Sequence, residues 1–385
     1  MKDLSESRIL IVDDAKTNID ILVEALRGDY KLSVALDGAA ALRSVEKSAP
    51  DLVLLDIVMP GLDGFEVCRR LRAQESMREL PIMFLSALED VTDKTRGFEV
   101  GGNDYLTKPF EILEVKARVR SLLKAKAYAD AIREALDRDL RIARDIQMGI
   151  LPTDLAGATS HSGLDVHAII EPALKVGGDL YEVLRASDDR LVIALGDVSG
   201  KGIAASLFMA ITVTVLRTLA RHIVDPAEIL CRLNDELAER NPHGMFVTIQ
   251  CLVFDFERGC VTGAGAGHHQ LALLSPNRAP RLAFPSSGRP AGLFPSNAIE
   301  CETLTLEPGD TFVLFSDGVS EATNTAGDFY GEDRLLLVLS SCAGASSADI
   351  VARVMEDVRA FAAGAKQSDD ITVLAARYAP ASIQA

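Results

Sequence analysis

The chain has 385 residues, enough for two domains at the usual roughly 100–200 residues each. Its 48% share of hydrophobic residues can fill two buried cores, and a formal charge of −16 excludes nucleic acid as a partner, because a phosphate backbone needs a basic footprint. The six cysteines (Cys68, Cys231, Cys251, Cys260, Cys301 and Cys342) form no C-x-x-C, and none has an arginine six positions later. This excludes the cysteine-nucleophile phosphatases, and the thiols read as buried in a reducing compartment. Met1 to Ser7 is polar, unlike a signal peptide, and the longest apolar stretch, Ile203 to Leu216, is shorter than the ~20 residues of a spanning helix. A cytoplasmic protein with no membrane partner is expected.

Residues 8–124 alternate short β-branched runs with amphipathic segments. RILIVDD, KLSVAL, DLVLLD, PIMFLSA and DYLTKPF read as strands or strand ends, and Thr17–Arg27, Gly38–Lys47, Phe65–Ala73, Thr92–Val100 and Glu111–Lys124 as helices. Five such βα units predict an α/β, doubly wound parallel sheet, whose ligands sit at the carboxyl ends of the strands. From Val115 to Ile150 no glycine occurs before Gly149, and Leu122, Ala125, Ala129, Ile132, Leu136, Leu140, Ala143, Gln147 and Ile150 recur at spacings of three and four. This predicts a linker helix with one narrow apolar seam. The seam packs either against the chain's own domains or, at 115–150, against a second copy in a parallel coiled-coil homodimer.

Residues 151–380 change character. LVIALGD, MFVTIQCLVFDF, TFVLFSD and DITVLAARY read as strands, and Ile203–His222, Pro226–Arg240 and Ser347–Ala363 as helices; Ser286 to Asn297 reads as a loop. Clustered strands favour an α+β domain with antiparallel sheets. The expected division is 1–124, 125–150 and 151–380.

Two sets of residues carry chemistry. Asp13 and Asp14 end the first predicted strand, Asp56 the third and Ser86 the fourth, and Lys108 follows the fifth. Three carboxylates on neighbouring strand ends make a pocket for one Mg²⁺, and a phosphoryl donor would meet there a carboxylate nucleophile, a bridging cation and a neutralising lysine. In the second half, GGD at 177–179, GDVSGKG at 196–202, SDG at 316–318 and DDIT at 369–372 each place an aspartate beside glycine or at the end of an apolar run. Singly, a strand-end aspartate is often an Asx cap. Together these carboxylates would repel unless cations sat among them, which points to a Mg²⁺ or Mn²⁺ cluster and hydrolytic or phosphoryl chemistry. A phosphate-loop reading of the lysine fails for want of G-x-x-x-x-G-K-[ST].

IVDD, LLDIVMPGLDG, FLSA and LTKPF, in that order and spacing, resemble the response-regulator receiver domain, whose fold is flavodoxin-like. The resemblance implies that Asp56 is the phosphoacceptor, that Asp13, Asp14 and Asp56 hold Mg²⁺, and that Lys108 contacts the phosphoryl group. Ser86 and Tyr105 would be the switch pair coupling phosphorylation to the face of the fourth helix and fifth strand, and a sensor histidine kinase would be the donor. IARDIQMGILP, VGGDLYEVL, GDVSGKGIAASLFMA, GAGHHQLAL, FSDGVSEATN and QSDDITVL resemble the metal-dependent (PPM family) serine/threonine phosphatases, within them the SpoIIE-type class. That likeness implies that Asp197 bridges two Mn²⁺ or Mg²⁺ ions with help from the Val198 carbonyl. Asp317 and Asp369 would complete the ligand set, with Asp179 and Asp370 in or next to it. It implies two-metal hydrolysis by an activated water, acting on a serine-phosphorylated anti-anti-sigma (STAS-type) protein.

Two positions depart from the pattern. Glu182 stands where a second aspartate is usual after GGD-x-Y, and is expected to reach a cation through water. GRPAG at 288–292 lacks the usual leucine before its last glycine, a packing change. His268 and His269 are assigned structural or substrate-proximal roles, since hard cations prefer oxygen. A diguanylate cyclase is disfavoured because Leu180 and Tyr181 replace the Glu-Phe of GGDEF and the later motifs would go unexplained. The alternative of another class is a phosphorylation-gated adaptor whose second domain is catalytically idle, for which Glu182 is the one favouring feature.

Overall fold

The structure is a computed structural model that describes residues 3–87, 97, 99–160, 162–239, 241–284 and 286–380. The predicted helix Thr92–Val100 falls largely outside these residues. The chain divides into two compact units, Met1–Arg138 and Asp139–Ala385.

In the first unit β1 (Arg8–Val12), α1 (Lys16–Leu26), β2 (Lys31–Ala35), α2 (Gly38–Lys47), β3 (Leu52–Asp56), α3 (Gly64–Ala73), β4 (Ile82–Ala87) and β5 (Asp104–Lys108) follow in order. The strands form one parallel sheet in the order β2-β1-β3-β4-β5. Ile9 to Val12 and Leu52 to Leu55 are wholly buried, the continuous apolar run expected of strands covered on both faces. Ile9, Ile11, Leu52 and Leu54 pack with Leu22 and Leu26 of α1 and with Val115, Val119 and Leu123. Leu10, Val12, Val53 and Leu55 pack with Ala41, Val45, Phe65 and Leu71 of α2 and α3. Asp37 and Asp63 cap α2 and α3 by accepting from the Ala40 and Glu66 amides, both at 2.7 Å. The doubly wound sheet is therefore as expected.

The predicted last receiver helix and the linker are one continuous helix, α4 (Ile112–Ile150). Its seam divides three ways. Leu122 lies against the core of the first unit, while Gln147 is buried and Ile150 packs against the core of the second. Between them Ala125, Ala129, Ile132 and Leu136 are exposed, as are Tyr128, Ile142 and Ile146 on neighbouring faces.

The second unit opens with α5 (Leu155–Thr159), β6 (Leu164–Glu171), β7 (Leu180–Ser187) and β8 (Arg190–Val198), followed by α6 (Ile203–Ala220) and α7 (Pro226–Glu239). Then come β9 (Val247–Asp255), β10 (Cys260–Ala266), β11 (Leu271–Leu274), β12 (Arg281–Ala283), β13 (Cys301–Thr305) and β14 (Thr311–Phe315). Three helices, α8 (Asp317–Ser320), α9 (Glu332–Ser340) and α10 (Ser347–Ala362), precede the last strand, β15 (Ile371–Tyr378). Two antiparallel five-stranded sheets result, β13-β10-β9-β8-β7 and β12-β11-β14-β15-β6. Leu195, Leu252 and Phe254 of the first share a core with Phe312, Leu314 and Leu374 of the second, and Phe254 meets Phe312 edge-on at 5.4 Å. The alternate residues Val313, Phe315, Val373 and Ala375 face outward onto Leu335, Leu339, Val351 and Val354 of α9 and α10. Each strand thus feeds two apolar layers. The predicted loop at 286–297 carries only isolated bridges, and Ala291, in place of the expected leucine, is buried and exchanges backbone hydrogen bonds with Val247.

α6 is long and apolar enough to cross a membrane by length and composition, but its Ala205, Met209, Val213 and Leu216 are buried in the core of the second unit. One reading is corrected here. Cys68, Cys251 and Cys342 are buried, but Cys301 is exposed, because it stands on β13, an edge strand with one covered neighbour.

Two candidate active sites

In the first unit the parallel strands deliver their last residues to one edge. Asp13 is fully buried just past β1, Asp14 is exposed beside it, and Asp56 ends β3; carboxylate oxygens of the three lie within 4.8 Å of one another. Lys108, the last residue of β5, places Nζ 2.8 Å from Asp13 Oδ2 and 2.9 Å from Asp56 Oδ1. Asn18 Nδ2 donates to both Asp13 oxygens at 3.0 Å and so fixes their plane. Burial raises the Asp56 pKa against the opposing effect of Lys108. Burial works against the Lys108 charge, but its bonds to Asp13 and Asp56 carry its pKa upward. Ser86, on β4, has its Oγ buried with no hydrogen-bond partner among the described residues. Tyr105 is buried on β5 and stacks on Phe84 at 5.6 Å. The oxygen set and the unpartnered hydroxyl fit a hard cation and a phosphoryl group.

In the second unit the carboxylates come from both sheets. Asp197 is the penultimate residue of β8, on the face that carries Leu195, toward the second sheet, and opposes Thr248. Asp317 and Asp369–Asp370 come from the adjoining ends of β14 and β15. These ends are locked together: the Ser316 amide donates to Thr372 O at 3.0 Å and the Thr372 amide to Ser316 Oγ at 2.9 Å. Asp370 spends its oxygens on backbone: Oδ1 accepts from Ala173 N and Oδ2 from Gly178 N, both at 2.7 Å. It therefore shapes the GGD loop. Asp179 is buried and accepts from Thr372 Oγ1. Burial, Asp317 and Asp369 push Asp197 up to about 7. Asp179 goes well above the usual carboxylate range through burial and Asp197, and Asp317 rises through burial and Asp369.

Glycine is required at three of these positions for space. A Cβ on Gly177 would lie 2.0 Å from Asp370 Oδ2, one on Gly178 2.6 Å from the Val198 carbonyl, and one on Gly318 1.9 Å from Asp370 O. Gly318→Ala is therefore expected to lower stability by about 1–3 kcal/mol through overpacking, read as the denaturation midpoint in urea. Asp317 Oδ1 is buried without a hydrogen-bond partner among the described residues. Buried carboxyls whose charges raise one another's pKa, with an oxygen left unpartnered among the described residues, fit a divalent cation cluster.

Some residues fall elsewhere than expected. Glu182 is overturned as a water-mediated cation contact. It pairs with Ala194, so strand alternation turns it to the face opposite Asp197, where it is buried and Arg217 of α6 holds its Oε2 at 2.6 Å. The feature that favoured an idle site is thus spent on packing. His268 uses both nitrogens to join the sheets, Nδ1 to Thr248 Oγ1 at 2.9 Å and Nε2 to Phe315 O at 3.0 Å. Burial and His269 push it down to about 3, so it stays neutral. Lys201 pairs with Asp369 at 2.9 Å. Thr372 and Ser316 were missed, though both lie inside the DDIT and SDG-flanking motifs.

Residues 187–379, half of the chain, match the family described as Stage II sporulation protein E (SpoIIE), and residues 9–120 match the response regulator receiver domain. Response regulator PleD of Caulobacter vibrioides is 39% identical over 146 residues, 38% of this chain and 31% of PleD. Protein IcfG of Synechocystis is 24% identical over 397 residues, 95% of this chain and 58% of IcfG. The chain thus spans between about a third and three fifths of these relatives' length. The SiaA-PP2C domain of Pseudomonas aeruginosa superposes with a TM-score of 0.58 at 23% identity, covering 64% of this chain and 99% of that one, a likeness of fold. With the sandwich and its carboxylates in place, the chain belongs to the SpoIIE family and carries a receiver domain ahead of its SpoIIE-type domain.

Proposed function

We propose that this protein is a two-component response regulator in which phosphorylation of Asp56 controls a metal-dependent serine/threonine phosphoprotein phosphatase. Residues 1–124 form the receiver, 125–150 the linker and 151–380 the phosphatase. The observation that carries the reading is that ends of both sheets, tied by the Ser316–Thr372 and Thr372–Asp179 hydrogen bonds, bring Asp179, Asp197, Asp317 and Asp369 close enough to act on one another's charge, with Asp317 Oδ1 unpartnered among the described residues.

Asp197, Asp317 and Asp369, with the Val198 carbonyl, are the groups to hold two Mn²⁺ or Mg²⁺ ions, and Asp179 lies beside them. Such ions supply an acidified water and take up phosphoryl charge. The chain's own residues do the positioning. Asp370 fixes the GGD loop, Thr372 orients Asp179, and neutral His268 ties Thr248 to the Phe315 carbonyl beside Asp317. In the receiver, Asp13, Asp14 and Asp56 would hold Mg²⁺. Asp56 accepts the phosphoryl group from a sensor histidine kinase, Lys108 neutralises it and the Ser86 hydroxyl donates a hydrogen bond to one of its oxygens; Tyr105 completes the switch pair. With acetyl phosphate as donor, Asp56→Asn is expected to gain no phosphate by intact mass, and Lys108→Ala to fall at least about tenfold.

The substrate class favoured by the family likeness is a serine-phosphorylated anti-anti-sigma (STAS-type) protein, in a cytoplasmic partner-switching pathway. The exposed apolar residues of α4 between Ala125 and Ile146 suit a homodimer. The test is Mn²⁺-dependent phosphate release from such a phosphoprotein, with and without beryllofluoride at Asp56. A rate that ignores beryllofluoride would sink the regulatory half, and no release from folded, metal-supplied protein would sink the enzymatic half.

A further inference from the structure

One polar side chain of the long helix is buried where its neighbours in the seam are apolar. Gln147 is 4% exposed. Its Nε2 donates to Gly177 O at 2.7 Å, and its Oε1 accepts from Gly177 N at 3.2 Å. Both backbone groups of one glycine are thus held by one amide. A buried amide left without such partners is costly, so the pair is fixed in register.

Gly177 is the first residue of the GGD loop. On the other side of that loop Asp370 accepts from Gly178 N at 2.7 Å and Asp179 N at 3.4 Å, and a Cβ on Gly177 would strike the same carboxylate. The loop is held between two clamps, Gln147 on α4 and Asp370 just before β15, and its third residue is Asp179. Further contacts fasten the end of α4 to this region. Arg144 donates to Lys175 O at 3.4 Å, and Arg217 donates to Ile150 O at 2.9 Å while pairing with Glu182 on β7. α4 begins at Ile112, within the first unit.

We infer that Gln147 is a positioning residue for the phosphatase site: it sets the GGD loop, and with it Asp179, and makes the end of α4 the element through which the receiver acts on metal holding. This rests on the function proposed above. A shift of α4 by part of a turn removes the Gly177 clamp and leaves Asp370 alone to hold the loop, a two-state difference at the site itself.

The test uses the full-length protein with Gln147→Met, which keeps bulk, and Gln147→Glu, which keeps the acceptor for Gly177 N–H and loses the donor. Backbone amide exchange over 173–181, read without metal, is expected to speed up at least tenfold in Gln147→Met and less in Gln147→Glu, with β9 unchanged as the control for folding. Mn²⁺ half-saturation, read by electron paramagnetic resonance, is expected to rise roughly 10–100-fold, the usual cost of losing an outer-shell partner. Beryllofluoride is expected to alter loop exchange in wild type and to lose that effect in Gln147→Met. Unchanged loop exchange and Mn²⁺ binding in both variants would overturn the inference, as would a beryllofluoride response equal in wild type and Gln147→Met. Neither readout needs turnover, so a faster-exchanging loop in Gln147→Met, found beside a wild type without phosphatase activity, would sustain the clamp while removing the enzymatic reading.

Discussion

Asp197→Asn is expected to cut phosphatase activity by about a thousandfold or more while raising the stability of the metal-free protein. The two effects have one cause. Asp197 is held at about 7 by burial and by the Asp317 and Asp369 carboxylates, against an ordinary 3.8. A raised folded-state pKa gives stability that is present below the unfolded pKa and is lost as pH climbs through the folded one. Metal-free wild type should therefore lose stability between about pH 4 and pH 7. With partial exposure of Asp197 allowed for, the loss is about 2 kcal/mol, or roughly 4–8 °C in a unit of this size. Asparagine carries no charge and removes that slope. Calorimetry in EDTA at pH 5 and pH 8, paired with phosphate release in Mn²⁺, reads both effects. A variant that melts below wild type at pH 8, or that retains its rate, contradicts the assignment of Asp197.

The second large effect concerns stability alone. Arg217→Met should destabilise the second unit by about 3 kcal/mol, toward the low end for a broken buried pair because the arginine itself is one-third exposed. Glu182 is left buried, with the weaker influence of Arg221 as its remaining counter-charge among the described residues. Burial already raises its pKa despite Arg217, and losing Arg217 raises it further. The carboxyl is protonated at low pH and charged at high pH, so the defect should be larger at pH 8 than at pH 5. Glu182→Gln in the same chain should recover most of it. Urea midpoints at the two pH values check this, and a defect independent of pH would show that Arg217 acts through packing.

The receiver was legible almost whole because parallel strands separated by helices bring their carboxyl ends to one edge whatever the details of packing. Asp13, Asp14, Asp56 and Lys108 needed only strand order to meet. The second unit was legible where a strand is strongly apolar, as in β8, β9, β14 and β15. It was not legible in β10, where CVTGAGA has no sustained apolar run; that segment is a strand because β9 and β13 flank it and because Gly263 leaves room for the Phe284 ring. The side to which Glu182 points depends on its register against Ala194, and register between strands is set by tertiary pairing. Gln147 did carry a sign: it stands in a seam otherwise built of leucine, isoleucine and alanine. A polar residue in such a seam needs partners, but which ones only the fold could reveal.

The position of β15 has a consequence for how the protein is made. This last strand sits between β14 and β6, the last and first of its neighbours in the chain, and pairs with β6 over all eight of its residues. A ribosome delivers β6 long before its mate, so the early strand must wait, edge open, while some two hundred residues emerge. Asp369 and Asp370 arrive in the same final segment. The nascent chain accordingly cannot bring Asp369 and Asp370 to Asp179, Asp197 and Asp317 until this strand has emerged. Closing the sandwich and completing the set of aspartates are a single, late event.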